Sequence, residues 1–219
     1  MTILDEISRR KITEIVHFTT HKGLVGMFAK NAVYSRRRLK GEDYLQYILH
    51  PNALMRPEEL AWFDKSADWL DFVNLSISEI NHSFFSFSQR WSHHQEISWI
   101  VLSFDAEILN HEGVYFATTN NSYEHCRREV GLAGLQALFA NPIRRKGTWR
   151  AYRGHRPDRL PTCEQAEVLY PVALPLSFLR RIYVNRAEHA DRVRGWLRDF
   201  AIEGVEVRVE PQKFDGVPN

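Results

Sequence analysis

The sequence predicts an α+β fold in a single domain over 1–219, and three observations carry that expectation. About six short strand-like runs are scattered along the chain instead of alternating with helices. The 219 residues, 44% hydrophobic and 26% charged, are enough to bury one sizeable core. No internal repeat or low-complexity stretch breaks the pattern.

Taken in order, Ile12, Ile15, Val16 and Phe18 mark a short strand or helix-to-strand junction that ends in His17-Phe18-Thr19-Thr20. A helix follows over Lys22 to Asn31, with Leu24, Met27 and Phe28 at helical spacing and Thr20 placed to cap it. A strand emptying into a helix amino terminus is an edge suited to an anion or nucleotide. Ser35 then leads into Arg36-Arg37-Arg38, which reads either as a solvated loop or as a phosphate clamp. Lys40 to Lys65, with Pro51 and Pro57, reads as loop with a short helix near Pro57 to Phe63.

Asp71 to Ser78 alternates Val73, Leu75 and Ile77 with Asn74, Ser76 and Ser78, a half-buried strand that sets two hydroxyls on one face. Ile80 to Gln89, containing Asn81, Phe84, Phe85 and Phe87, reads as an aromatic-rich link. Trp99 to Phe104 is a buried strand, Asp105 to Leu109 a turn with a short helix, and Val114 to Thr118 another strand ending in Thr119-Asn120-Asn121. Glu129 to Phe139 is an amphipathic helix stopped by Asn141-Pro142. Arg181 to Asn185 is a strand, Arg186 to Ala201 a charged amphipathic helix, and Val205 to Val209 a last strand.

The chain is organised around Pro161 to Pro171, a short alternating run bounded by prolines. As a strand with period two it points Gln165 and Glu167 to one face and Ala166 and Val168 to the other. A carboxylate and an amide presented together suit chemistry at a ribose: the acid stabilises an oxocarbenium-like transition state and the amide orients the acceptor. Glu164-Gln165-Ala166-Glu167 also fits a plain polar strand edge.

Immediately before this run, Arg144, Arg145, Lys146, Arg150, Arg153, Arg156 and Arg159 stand against Asp158 alone, with Trp149 and Tyr152 interleaved. The whole chain carries only +2, so the remainder is net acidic and the positive charge is concentrated here. Guanidinium groups for phosphates and ring faces for bases are what a single-stranded nucleic acid requires. Cys126 and Cys163 stand in no metal-ligand spacing, and with no membrane span or export signal in view the expected setting is the cytoplasm.

The opening His17-Phe18-Thr19, the Ser76-Ile77-Ser78 strand and the Gln165-Ala166-Glu167 strand, in that order and with a basic loop before the last, resemble the ADP-ribosyltransferases. The details resemble the DarT branch, toxins that attach ADP-ribose from NAD to a DNA base: His17-Phe18-Thr19, Ser35-Arg36, Val73 to Ser78 with Asn81, and Gln165 to Leu169 all have counterparts there. The resemblance implies a split antiparallel sheet with flanking helices, and NAD as substrate with no metal. It implies Glu167 and Gln165 as catalytic residues, and His17, Thr19, Ser35, Arg36, Ser76, Ser78 and Asn81 around NAD. Arg144, Arg145, Lys146, Trp149, Arg150, Tyr152, Arg153 and Arg156 would hold single-stranded nucleic acid, DNA ahead of RNA. A toxin of this kind implies an antitoxin, such as a DarG-like macrodomain hydrolase. Where the branch carries an arginine just before the Ser-x-Ser strand, this chain offers Lys65, leaving its role to that lysine or to one of Arg36, Arg37 and Arg38. The remaining alternatives are an RNA or protein acceptor, or a binding module without catalysis.

Overall fold

A computed structural model describes residues 1–39, 69–91 and 97–219. The helix expected near 57–63 and Lys65 lie outside the described residues. The chain opens on a helix no hydrophobic run announced, α1 (Ile3–Arg10). A capping box starts it: Thr2 Oγ1 accepts from the Asp5 N–H while Asp5 accepts from the Thr2 N–H. Next come β1 (Ile15–Thr20), α2 (His21–Lys30), β2 (Ala32–Tyr34), α3 (Arg36–Leu39), β3 (Phe72–Ile77), α4 (His82–Trp91), β4 (Trp99–Phe104), β5 (Tyr115–Ala117) and β6 (Arg128–Val130). The chain continues through α5 (Gly131–Ala137), β7 (Ile143–Arg144), β8 (Arg150–Ala151), β9 (Glu167–Pro171), β10 (Ala173–Pro175), β11 (Leu179–Val184), α6 (Ala187–Asp199) and β12 (Glu206–Val209).

Two further elements differ from expectation before the site is reached. The supposed link over Ile80 to Gln89 is helix α4, because Asn81 supplies its cap: the side chain accepts the Phe84 N–H at 3.0 Å and the carbonyl that of Phe85 at 2.9 Å. The helix expected from Glu129 starts only at Gly131, since Arg128 to Val130 pairs with β5 as an edge strand.

Among the described residues eight strands form one sheet in the order β12-β11-β4-β1-β3-β9-β5-β6. Its pairs are antiparallel except β11 with β12. The seam between β1 and β3 positions the site. Strand β1 pairs with β4 from Ile15 through Thr20 but with β3 only at Ile15 and Val16, opposite Ile77 and Ser76. Beyond Val16 the two strands part and the sheet is split, with His17 and Thr19 on one lip and Asn74 on the other.

Both half-sheets rest on a common core, in which Ile15, Leu75, Leu102, Phe104, Phe116 and Val168 join Ile7 of α1, Leu135 of α5 and Val193 of α6. Fully burying one such side chain contributes about 1.5–3 kcal/mol, so the parted strands stay anchored from below. Val16 faces the other way, into a smaller cluster with Phe85, Val101, Tyr183 and Phe214.

Candidate active site

Strand β9 begins at Glu167 and not at Pro161. The Ala166 N–H closes onto the Cys163 carbonyl at 3.1 Å, so the preceding residues turn instead of extending. Gln165 falls in that turn, 7% exposed, with its Oε1 buried and, among the described residues, without a partner. Placing Gln165 and Glu167 side by side on a strand is therefore corrected: the turn breaks the period of two before it reaches Glu167.

Glu167 itself stands on the lip of the split. Its Oε2 accepts from Asn74 Nδ2 at 3.0 Å and from the Asn121 backbone N–H at 3.2 Å. The Asn74 carbonyl is 2.9 Å from His17 Nδ1. A carbonyl only accepts, so Nδ1 carries the hydrogen and Nε2 keeps its lone pair. Asn74 thus ties the imidazole of one half-sheet to the carboxylate of the other. Among the described residues no protein donor reaches Glu167 Oε1.

The electrostatics follow from burial. Removing Glu167 from water pushes its pKa up to about 7, against the lowering pull of the Asn121 N–H, the Asn74 amide and Arg128. Burial likewise lowers His17 from its ordinary 6.5, against the Asn74 carbonyl, which keeps the ring neutral at pH 7. A carboxylate that titrates near neutrality beside a neutral imidazole can stabilise positive charge and also accept a proton.

Asn74, Asn121 and Arg128 were not expected at the site. Asn74 carried a visible signal, as the polar partner of Ser76 on an alternating strand, and Asn121 lay in a polar cluster at a strand end. Arg128 carried none.

Of the other residues expected around NAD, Thr19 is half-buried beside the amino terminus of α2, where a Cβ on Gly23 would come 2.3 Å from its Oγ1; glycine is what permits that approach. Ser35 is fully buried, donates to Asp71 at 3.1 Å and accepts the Arg38 N–H at 3.4 Å, so it caps α3, which Arg36 opens. Ser76 lies on β3 and lines a small cavity with Glu79, Arg156 and Glu164. Ser78 lies past the end of the strand at a left-handed φ of 63° and is 2% exposed, so it shares no strand face with Ser76. Asn81, 4% exposed, is occupied in capping α4. For Ser35 and Asn81 the correction has one cause: backbone groups at helix starts claim nearby polar side chains first. Ser78 is instead turned off the strand by its left-handed backbone, and its Oγ is buried with no partner among the described residues.

The basic strip divides into two. Strands β7 and β8 form a hairpin in which Ile143 and Ala151 turn inward onto Cys163, while Arg144 and Arg150 are exposed opposite each other. Lys146 is exposed, and Trp149 and Tyr152 stand 75% and 63% open to solvent. Arg145, Arg153 and Arg156 turn inward, which corrects their assignment to nucleic acid, and Arg159 pairs with Glu79 at 3.5 Å. Arg153 donates to the carbonyls of Leu160 and Pro157, Arg156 to those of Pro161 and Val217, and Arg145 to that of Asn219 while it pairs with Glu164 at 3.7 Å. A loop without strand partners leaves carbonyls to be satisfied, and a five-donor guanidinium satisfies several at once. Arg156→Ala is expected to cost about 1–3 kcal/mol through the carbonyls it strands. Thermal melts should show that loss and none for Arg150→Ala; equal melts for both would refute the division.

Among the described residues no group of three or more His, Cys, Asp or Glu is arranged to hold a metal, and no helix is long and apolar enough to cross a membrane.

The family model for DarT, described as ssDNA thymidine ADP-ribosyltransferase, matches residues 16–215. No curated relative matches. Among solved structures, Thermus sp. 2.9 DarT in complex with carba-NAD+ is similar at a TM-score of 0.61 and 15% identity, over 93% of this chain and 98% of that one. Thermus sp. 2.9 DarT in complex with ADP-ribosylated ssDNA is similar at a TM-score of 0.58 and 15% identity, over 93% and 97%. Thermosipho africanus DarTG in complex with ADP-ribose is similar at a TM-score of 0.55 and 10% identity, over 92% of this chain and 51% of that one. At these identities the likeness is one of fold.

Proposed function

The chain belongs to the DarT family of ssDNA thymidine ADP-ribosyltransferases, and from that membership we propose that the split between β1 and β3 is where ADP-ribose passes from NAD to a thymidine base, with Glu167 as the catalytic residue. The observation that carries this reading is the Asn74 bridge, which holds the Glu167 carboxylate and the His17 imidazole across one cleft. Glu167 Oε2 is held in place, and Oε1 is left to bond a hydroxyl of the nicotinamide ribose. As the bond from the anomeric carbon to the nicotinamide nitrogen breaks, its electron pair leaves with neutral nicotinamide, and the carboxylate offsets positive charge on the ribose. His17 Nε2 accepts from a ribose hydroxyl, and Thr19 lines the same lip.

In thymidine the ring nitrogen not bonded to sugar carries a hydrogen. That nitrogen attacks the anomeric carbon and its proton passes to Glu167, a transfer favoured by a pKa of about 7. A base stacked within a duplex cannot present that nitrogen, which accounts for single-stranded substrate. The exposed hairpin residues Arg144, Lys146, Trp149, Arg150 and Tyr152 hold the strand. An enzyme that takes both NAD and DNA fits a cytoplasmic setting, where the two substrates meet. The DarTG neighbour, in complex with ADP-ribose and covered over 51% of its length, supports a toxin whose mark a DarG-like macrodomain partner removes.

Incubation with NAD and separate oligonucleotides should add one ADP-ribose to single-stranded DNA containing thymidine, with release of nicotinamide, and none to DNA lacking thymidine or to RNA. Mass spectrometry reads the adduct. Modification of RNA or protein in place of thymidine would reject the acceptor, and no nicotinamide release from folded protein would reject the enzyme.

A further inference from the structure

The cleft leaves one strong contact unexplained, the grip of Arg128 on the loop that touches Glu167. Arg128, on β6, donates Nε to Asn121 Oδ1 at 2.5 Å, Nη2 to the Asn121 carbonyl and Nη1 to the Cys126 carbonyl at 3.2 Å. Its guanidinium lies 5.2 Å over the Trp69 ring. The loop it spans is closed at its base by the Thr118 N–H on the Arg127 carbonyl at 3.0 Å and the Arg127 N–H on Thr118 Oγ1 at 3.2 Å. Asn121, 6% exposed, is thereby gripped by side chain and carbonyl at once, and its remaining backbone N–H points at Glu167 Oε2.

We propose that Arg128 is a positioning residue for ADP-ribose transfer, holding Asn121 so that its N–H fixes one oxygen of Glu167 and leaves the other facing the substrate. This rests on the assignment of Glu167 to the transfer. The fork is required as well as the charge, because a lysine cannot reach Asn121 Oδ1, the Asn121 carbonyl and the Cys126 carbonyl together.

Arg128 also sets the field at the carboxylate. Among the described residues the groups acting on Glu167 are Asn74 from β3, Asn121 and Cys126 from the loop, and Arg128 from β6, while His17 of β1 bonds the Asn74 carbonyl. His17 is neutral at pH 7, and burial raises the Cys126 thiol so that it too is neutral. Among the described residues that leaves Arg128 as the charge acting on Glu167.

The test compares wild type, Arg128→Gln, Arg128→Lys, Asn121→Ala and Glu167→Gln by nicotinamide release with a thymidine oligonucleotide from about pH 6 to about pH 9. Arg128→Gln should lower kcat at pH 7 by about tenfold with a smaller change in the KM for NAD, and should move the acidic limb of the profile to higher pH so that activity is partly recovered in alkali. Arg128→Lys should keep the limb in place but not restore kcat. Asn121→Ala should lower kcat in the same direction by less, which keeps the proposal testable if Arg128→Gln folds poorly. A lowered melting temperature with wild-type kcat and an unmoved limb would make Arg128 merely structural and overturn the proposal while the assignment of Glu167 stands. Undiminished activity of Glu167→Gln would overturn that assignment, and the proposal with it.

Discussion

Glu167→Gln is expected to lower ADP-ribose transfer on the order of 100- to 1,000-fold while the protein stays folded, because it removes charge from the position where the ribose becomes positive and alters little else. An amide oxygen can still accept from Asn74 and the Asn121 N–H, so the local hydrogen bonds are retained. Nicotinamide release and oligonucleotide mass spectrometry measure the loss, and a well-folded variant that still modifies thymidine would end the assignment. The same substitution reports on burial. The carboxyl titrates near 4.5 when unfolded and at about 7 in the fold, so the fold binds this proton more tightly than the unfolded chain does. The contribution of Glu167 to wild-type stability therefore falls as pH rises from about 4.5 to about 7 and levels off above. The glutamine variant escapes that loss. Its melting temperature relative to wild type should climb across that window, and a constant difference would mean that the acid is not held away from water.

The second large effect lies on the hairpin. Replacing Trp149 and Tyr152 together with alanine should weaken single-stranded DNA binding on the order of 100-fold, since each base stack contributes about 1–3 kcal/mol and 1.4 kcal/mol is a factor of ten. Both rings stand open to solvent, at 75% and 63%, so the melting temperature should not move. Arg144→Ala and Arg150→Ala should act differently, weakening binding across all sequences and flattening its salt dependence. Titration of a labelled oligonucleotide at several salt concentrations separates the two effects. Unchanged affinity of the double aromatic variant would move the nucleic-acid surface elsewhere.

These predictions concern fewer residues than the sequence offered. A charge count cannot tell an arginine that meets phosphate from one that meets its own backbone. Arg153 and Arg156 differ from Arg150 in having loop carbonyls without strand partners within reach, at Leu160, Pro157, Pro161 and Val217. Val217 lies far along the chain, so nothing local in the sequence could announce it. Capping had the same effect on Ser35 and Asn81, whose partners depend on where α3 and α4 begin.

The sequence by itself determined what periodicity and short-range chemistry control: the strands through Val16, Leu75 and Leu102, the helix capped at Thr20, the concentration of positive charge before Glu167, and the order of motifs that implied the family. Tertiary structure alone decided that β1 leaves β3 after Val16, that a turn at Cys163 to Ala166 takes Gln165 off the strand, and that Asn74, Asn121 and Arg128 converge on one carboxylate. The reason is physical: hydrogen bonds between neighbours along the chain are written in the local pattern, whereas the pKa and aim of Glu167 are set by groups brought to it from distant strands, and those contacts exist only once the sheet has closed over its core.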